Sequence, residues 1–288
     1  MEDRLEAIIL GCGSSAGVPR LGGADGGGDW GACDPGNPKN RRRRCSVLLR
    51  RGGTTVLVDT SPDMREQLLA AHVTRLDGVL MTHPHADQTN GIDDLRPLTF
   101  ISRKRIEMYA DGATLKHLKR QFDYCFEAPP GSEYPAIING HAIPEPFVPF
   151  EIAGAGGPLP ILAFWQAHGP AARSLGFRSG GLAYSSDVNG LDEQAFAALE
   201  GVEVWILDAL RYREHPTHAN IETALGWIAQ VKPKRAILTN FNIDVDYARL
   251  ASELPRGVEP AYDGMIVDAP LISSTTLAMR AGRLPTGS

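Results

Sequence analysis

The sequence predicts an α/β fold: one domain over residues 1–288 in which two sheets lie face to face between outer helices, an αββα sandwich. Three observations lead there. Apolar, strand-like runs recur along the chain, and residues able to bind metals repeatedly stand just past their ends, at His83, His168 and Asp187. Strands and helical patterns follow one another in each half, with no period that would indicate a solenoid. Finally, 288 residues with 43% hydrophobic and 22% charged side chains can bury a sizeable core.

The first expected strand covers residues 5–12 and runs into GCGSSAGVPR, whose glycines and serines allow tight turns and offer donors to an anion. Residues 22–44 read as a long irregular loop. It ends in the basic run Arg41–Arg44, taken as a solvated face, with a phosphate or nucleic-acid contact as the sharper alternative. Residues 45–51 and 54–59 form a hairpin about Gly52-Gly53, and a helix follows over residues 62–71, with Ser61 as its cap and Pro62 in its first position. An apolar strand over residues 73–81 leads into THPHADQTNGIDDLR. A strand at 106–110 and a helix at 113–125, with Cys125 on its core face, come next.

Residues 128–149 carry many prolines and little periodicity, which suggests a surface excursion or a lid. Strands at 147–152, 160–167 and 181–187 build the second half, and another ends at Asp208. A helix over 220–230, a strand at 235–238, and a last helix with short strands to Val267 complete the chain.

The segment after the 73–81 strand carries the chemistry. His83 and His85 alternate in an extended stretch, so both imidazoles can aim at one point, and Pro84 restrains that stretch. Asp87 arrives as the chain turns toward a helix. Spacing of this kind at a strand end suits an open, catalytic metal site. Five of the eight histidines, His83, His85, His168, His215 and His218, belong to segments proposed to converge there, whereas His72, His117 and His141 read as surface or local hydrogen-bonding residues.

HPHADQ resembles the HxHxDH signature of the metallo-β-lactamase superfamily. GCGSSAGVPR, CDPGNPKNRRRRCS, LVDTSPDMR, GIDDLR, YSSDV and DALRYREHPTH resemble the branch containing phosphoribosyl cyclic-phosphate phosphodiesterase, from about residue 5 to about residue 268. The resemblance implies a metallo-β-lactamase-like fold and hydrolysis of a small phosphodiester, cyclic or nucleotide-like. It implies metal ligation by His83, His85, Asp87, His168 and Asp187, with Asp59 orienting a ligand from behind. Asp87 and His218 would be catalytic, and His215, His218 and Arg211 would bind substrate. The cofactor would be a divalent metal, zinc or manganese.

The sequence departs from that pattern at the second metal position. Gln88 replaces the last histidine of the signature, Asn90 stands where relatives often have histidine, and Asn240 and Asn242 occupy the LTNFN segment where another histidine belongs. Amide oxygens suit hard cations rather than zinc, so one firm site and a weak or absent second one are expected. A nucleotide- or phosphate-binding protein that has lost the second metal site and is inactive or weakly active is the alternative that these replacements raise.

The net charge of −5 argues against nucleic acid as partner, and no apolar run approaches the ~20 residues that span a bilayer. A start of MEDRLEAIILGCG does not read as a signal peptide, which makes the cytoplasm the expected compartment; a homodimer is left open. Cys12, Cys33, Cys45 and Cys125 form no close pair. They read as reduced thiols, and a structural metal at Cys33 and Cys45 is not expected from their spacing.

Overall fold

The computed structural model describes residues 4–145 and 147–281. Strands β1 (Arg4–Gly11), β2 (Ser46–Arg51), β3 (Thr54–Val58), β4 (Gly78–Leu80), β5 (Ile106–Ala110) and β6 (Ile138–Ala142) lie in the first half of the chain. Helices α1 (Met64–Ala70), α2 (Ala86–Thr89), α3 (Arg96–Ser102), α4 (Gly112–Gln121) and α5 (Asp123–Phe126) are interleaved with them. Strands β7 (Phe150–Ile152), β8 (Leu159–Ala167), β9 (Arg173–Ser179), β10 (Leu182–Ser185), β11 (Val204–Asp208), β12 (Arg235–Thr239), β13 (Val258–Pro260) and β14 (Met265–Pro270) follow. Helices α6 (Glu193–Leu199), α7 (Ile221–Val231), α8 (Tyr247–Glu253) and α9 (Ser274–Ala281) belong to this half.

These make two seven-stranded sheets, ordered β14-β1-β2-β3-β4-β5-β6 and β13-β12-β11-β10-β9-β8-β7. The last strand of the chain thus crosses back to the edge of the first sheet, pairing antiparallel with β1. Strand alternation decides what packs where. Leu5, Ala7 and Ile9 with Val47, Leu49, Val56 and Val58 face the core shared with the second sheet, where they join Phe164, Phe177 and Trp205. Their neighbours Ile8, Leu10, Leu48 and Leu57 face outward onto Met64 and Leu68 of α1 and, with Val79, Met81 and Met108, form a second apolar layer under the helices. This is the expected αββα sandwich.

Several expected elements are corrected. The strand read over residues 73–81 pairs only from Gly78 to Leu80, since Thr74, Arg75 and Asp77 run along the rim, with Arg75 paired to Asp77. The helix read from Pro62 starts at Met64 with Asp63 as its cap, and Ser61 instead accepts from the Asp63 N–H and donates to Gln67. The helix read over 113–125 breaks at Phe122, whose extended φ of −127° separates α4 from α5. Within 128–149 lies β6, an edge strand (INGHA) too polar to signal itself, paired parallel to β5. Strand β9 was missed because Arg178 sits inside it; that side chain is wholly buried and donates to the carbonyls of Gly180, Ala198 and Glu200.

The basic run is not a solvated face. Arg42 is buried, lies over the Phe241 ring, and donates to Asn40 and to the carbonyl of Asn242. Arg43 pairs with Asp263 and Arg44 with Asp63. Only Arg41, over the Trp30 ring, is exposed. The run is a strut: Val18 exchanges backbone hydrogen bonds with Arg42, and Gly13 donates to Arg43, which ties the glycine-serine loop to it. Gly11 is required there, because a Cβ would come within 2.0 Å of the Arg44 carbonyl oxygen. The four cysteines are free and buried; Cys33 donates to carbonyls of Ile243 and Val245, and among the described residues no metal-binding group includes a cysteine.

Candidate metal centre

The carboxyl ends of strands from both sheets meet at one edge of the sandwich. From the first sheet, β3 leads to Asp59 and β4 leads through Thr82 to His83 and His85. From the second, β8 leads to His168, β10 leads to Asp187, β11 ends at Asp208 and β12 leads to Asn240. A hydrogen bond from the Leu175 N–H to the Thr82 carbonyl (2.8 Å) ties the two sheets together beside them.

Two of the three imidazoles are held by a partner behind them. Asp59 accepts from the Thr82 N–H (2.8 Å) and from Thr82 Oγ1 (2.9 Å), leaving that hydroxyl to accept from His83 Nδ1 at 2.9 Å. His168 Nδ1 donates to the Thr217 carbonyl at 2.8 Å. Both therefore present an unprotonated Nε2, and both aim it at His85 Nδ1, which lies 2.9 Å from His83 Nε2 and 3.3 Å from His168 Nε2. Lone pairs pointed at one another repel unless a proton or cation stands among them. Burial holds His83 well below the ordinary histidine range, with His168 and His85 adding to the effect, and it lowers His168 as well. Neutral nitrogens, fixed tautomers and this convergence fit a divalent metal. His83, His85 and His168 form one group able to hold an ion; His168, Asp187 and His218 form a second, overlapping one.

The carboxylates stand beside this cluster. Asp187, buried and in the left-handed region (φ 53°), accepts from Gln88 Nε2 at 3.2 Å, and the same nitrogen lies 3.3 Å from Asp87 Oδ2. The Gln88 amide thus stands between two carboxylates, where the superfamily signature has histidine, and its Oε1 is buried with no partner among the described residues. Turned over, the amide would offer an oxygen to a cation shared with Asp87 and Asp187. An all-oxygen set of this kind fits a hard ion better than zinc. Burial raises the carboxyls of both Asp87 and Asp187, and for Asp87 the neighbouring Asp187 raises it further.

His218 completes the site. Its Nδ1 donates to Asp208 Oδ2 at 2.7 Å, which leaves Nε2 facing Asp187 Oδ1 at 3.9 Å. Burial alone would lower this imidazole, but Asp208, then Asp187 and Asp87, outweigh it and bring it up to about 9. Asn240 Nδ2 lies 3.2 Å from the same Nδ1. His215 packs its ring 5.1 Å from His218, and burial followed by the His218 charge lowers it. Arg211 turns away, donating to its own loop through the carbonyls of Arg213 and Glu214. Asn242 is likewise occupied locally, with Asp244.

Asp208 is the residue that sequence reasoning passed over. Its signal was present: a carboxylate ending the apolar run VWIL, as Asp59 ends VLV. Of the six described non-glycine residues with positive φ, Asp59, Asp187 and Asn240 are all here, so backbone strain gathers at this edge.

A family model described as "Beta-lactamase superfamily domain" matches residues 54–241. The chain therefore belongs to the metallo-β-lactamase superfamily. Among solved structures, a new diphosphatase from the PhnP family superposes with a TM-score of 0.82 at 30% identity, covering 94% of this chain and 99% of that one. That likeness assigns the chain to the PhnP-like branch. Zinc-bound PqqB from Methylobacterium extorquens (TM-score 0.68, 19% identity, 92% and 100% covered) is alike in fold. The chain is also 30% identical over 267 residues to an octanoyltransferase of Porphyromonas gingivalis, covering 91% of this chain but 51% of that protein. It thus spans about half the length of that curated relative.

Proposed function

We propose that this protein is a metal-dependent hydrolase of a small phosphodiester, cyclic or nucleotide-like. The observation that carries the reading is the convergence of three imidazoles, two with their Nε2 left bare by partners behind them, next to a histidine whose free Nε2 faces the same space. The PhnP-family diphosphatase that the chain resembles supports a phosphoryl group as the centre attacked.

A divalent metal held by His83, His85 and His168, with Asp187 as an oxygen ligand, would acidify a water and offset charge on a phosphoryl oxygen. Zinc suits the nitrogen-rich position; manganese or magnesium suits the oxygen-rich one at Asp87, Asp187 and Gln88, which binds weakly or stays empty. Asp87, its carboxyl raised by burial, orients the attacking water and takes up its proton. His218 contacts the phosphate and gives a proton from Nε2 to the leaving oxygen, while Asp208 fixes its ring through Nδ1. His215, against the His218 ring, supplements the anion site. A phosphate-binding protein without activity would follow from Gln88 and Asn240 alone, but it leaves the His218–Asp208 pair without a task.

Turnover of bis(4-nitrophenyl) phosphate, measured together with metal content on the purified protein, tests this. Hydrolysis that rises and falls with bound metal is the expected result. Full metal loading with no hydrolysis of this or any other phosphodiester would leave only binding.

A further inference from the structure

The φ of 53° at Asp187 lies in the left-handed region, which a non-glycine residue keeps only where its surroundings impose it. Here the neighbouring hairpin imposes it. Gln166 of β8 and Ser174 of β9 stand directly opposite each other, and both are buried. Gln166 Nε2 donates to Ser174 Oγ at 3.1 Å and to the Ser186 carbonyl at 3.2 Å. The Ser174 hydroxyl in turn donates to the Asp187 carbonyl at 2.8 Å. These two carbonyls belong to the planar peptides on either side of the Asp187 Cα, so gripping both fixes the backbone of that residue. Beyond it, the Val188 N–H donates to Asp208 Oδ2 at 3.1 Å.

The fold makes room for this relay and bears a cost to keep it. A Cβ at Gly176 would come within 2.3 Å of the Phe164 ring and 2.7 Å of Gln166 Oε1, so the glycine leaves the space that the amide occupies. Gln166 Oε1 is itself buried with no hydrogen-bond partner among the described residues, an expense an apolar side chain would not incur. The relay also lies among the strands that carry the imidazoles. His168 stands two residues beyond Gln166, and Leu175, next to Ser174, donates its N–H to the carbonyl of Thr82, the residue before His83.

We infer that Gln166 and Ser174 are positioning residues for the metal centre. Through the carbonyls of Ser186 and Asp187 they turn the Asp187 carboxylate toward Gln88, His168 and His218, where its oxygens can serve as ligands. The inference rests on the proposed metal-dependent reading and deepens it, by naming what holds the oxygen ligand in place.

The test reads zinc affinity, by competition with a chromogenic chelator, with folding followed by circular dichroism. Ser174→Ala removes a single hydroxyl, and Gln166→Met keeps the length of the side chain while removing both donors. Each should weaken zinc binding about 10-fold, the lower end of the range for lost partners of metal ligands. In an Asp187→Ala background, which lacks the carboxylate being positioned, Ser174→Ala should change zinc affinity by less than about twofold. A general loosening of the fold would act equally in both backgrounds. Cobalt-loaded protein reports the ligand set directly: its visible absorption band should shift in Asp187→Ala, and Ser174→Ala should reproduce part of that shift. Unchanged zinc affinity in Ser174→Ala and Gln166→Met, an equal loss in the Asp187→Ala background, or an unaltered cobalt band would overturn the positioning role and leave the hydrolase reading untouched. Zinc affinity that responds as expected in a protein that hydrolyses no phosphodiester would keep the positioning role and remove the hydrolase reading.

Discussion

At the scale of single residues, the proposed mechanism divides the site into groups that hold metal and groups that move protons. His218 is placed with the latter, because Asp208 occupies its Nδ1 and its Nε2 lies 3.9 Å from Asp187. Its ligand atom is nonetheless near enough to those of His168 and Asp187 to complete a metal group, so the assignment needs its own check. His218→Ala should lower turnover by about 10² to 10⁴, the range for a lost general acid, while metal content stays the same. The loss should be smaller for a nitrophenolate leaving group, which needs no proton, than for an alkoxide. Loss of metal from His218→Ala would make His218 a ligand. Gln88 invites the opposite experiment, because its amide stands between Asp87 and Asp187 with a buried, partnerless Oε1. Gln88→His combined with Asn240→His should raise the zinc content per chain; two zinc ions already bound tightly to the unaltered protein would show that the amides suffice.

At the scale of elements, what the sequence made legible follows from how strongly each segment signals its own burial. Strands such as β2, β3, β11 and β12 are continuous apolar runs, and their ends fell within a residue or two of where they were read. The first three histidine positions were legible for the same reason, since each lies just past such a run. What escaped was set by tertiary partners. Strand β9 hides behind Arg178, whose charge is satisfied by three carbonyls from other segments, and β6 is an edge strand that β5 alone holds in place. Asp208 escaped because a buried carboxylate makes sense only with its imidazole in view. The burial of the basic run is not legible in the sequence because four identical residues have four different surroundings. Arg42→Ala should cost about 2–3 kcal/mol in urea unfolding, through lost packing on Phe241 and unpaired buried acceptors. Arg41→Ala, exposed over Trp30, should stay within about 0.5–1 kcal/mol. Equal effects would restore the solvated reading.

At the scale of the whole molecule, contacts that tie the edge of the first sheet to the strut also depend on pH. Asp263, just ahead of β14, accepts from the backbone N–H groups of Cys12 and Arg43 and so ties the end of β1 to the strut. Burial pushes its carboxyl up to about 6, against the lowering effect of those donors and of Arg43. A folded state that holds this proton more tightly than the unfolded chain loses stability as pH rises from about 4 to about 6, by roughly 3 kcal/mol at most, and no further above that. Asp263→Asn should flatten this part of the stability curve in urea titrations; an unchanged slope would place the dependence on other groups.

The central claim is that sheet ends from both halves of the chain are brought together to hold one metal on His83, His85 and His168. Metal content per chain, measured after purification without added metal and again for His168→Ala, tests it most directly. About one firmly bound ion is expected in the unaltered protein and its loss in His168→Ala, with circular dichroism unchanged, since three nitrogens define the site and two do not. An unaltered protein that binds no divalent metal, or a His168→Ala protein that keeps its ion, would contradict it.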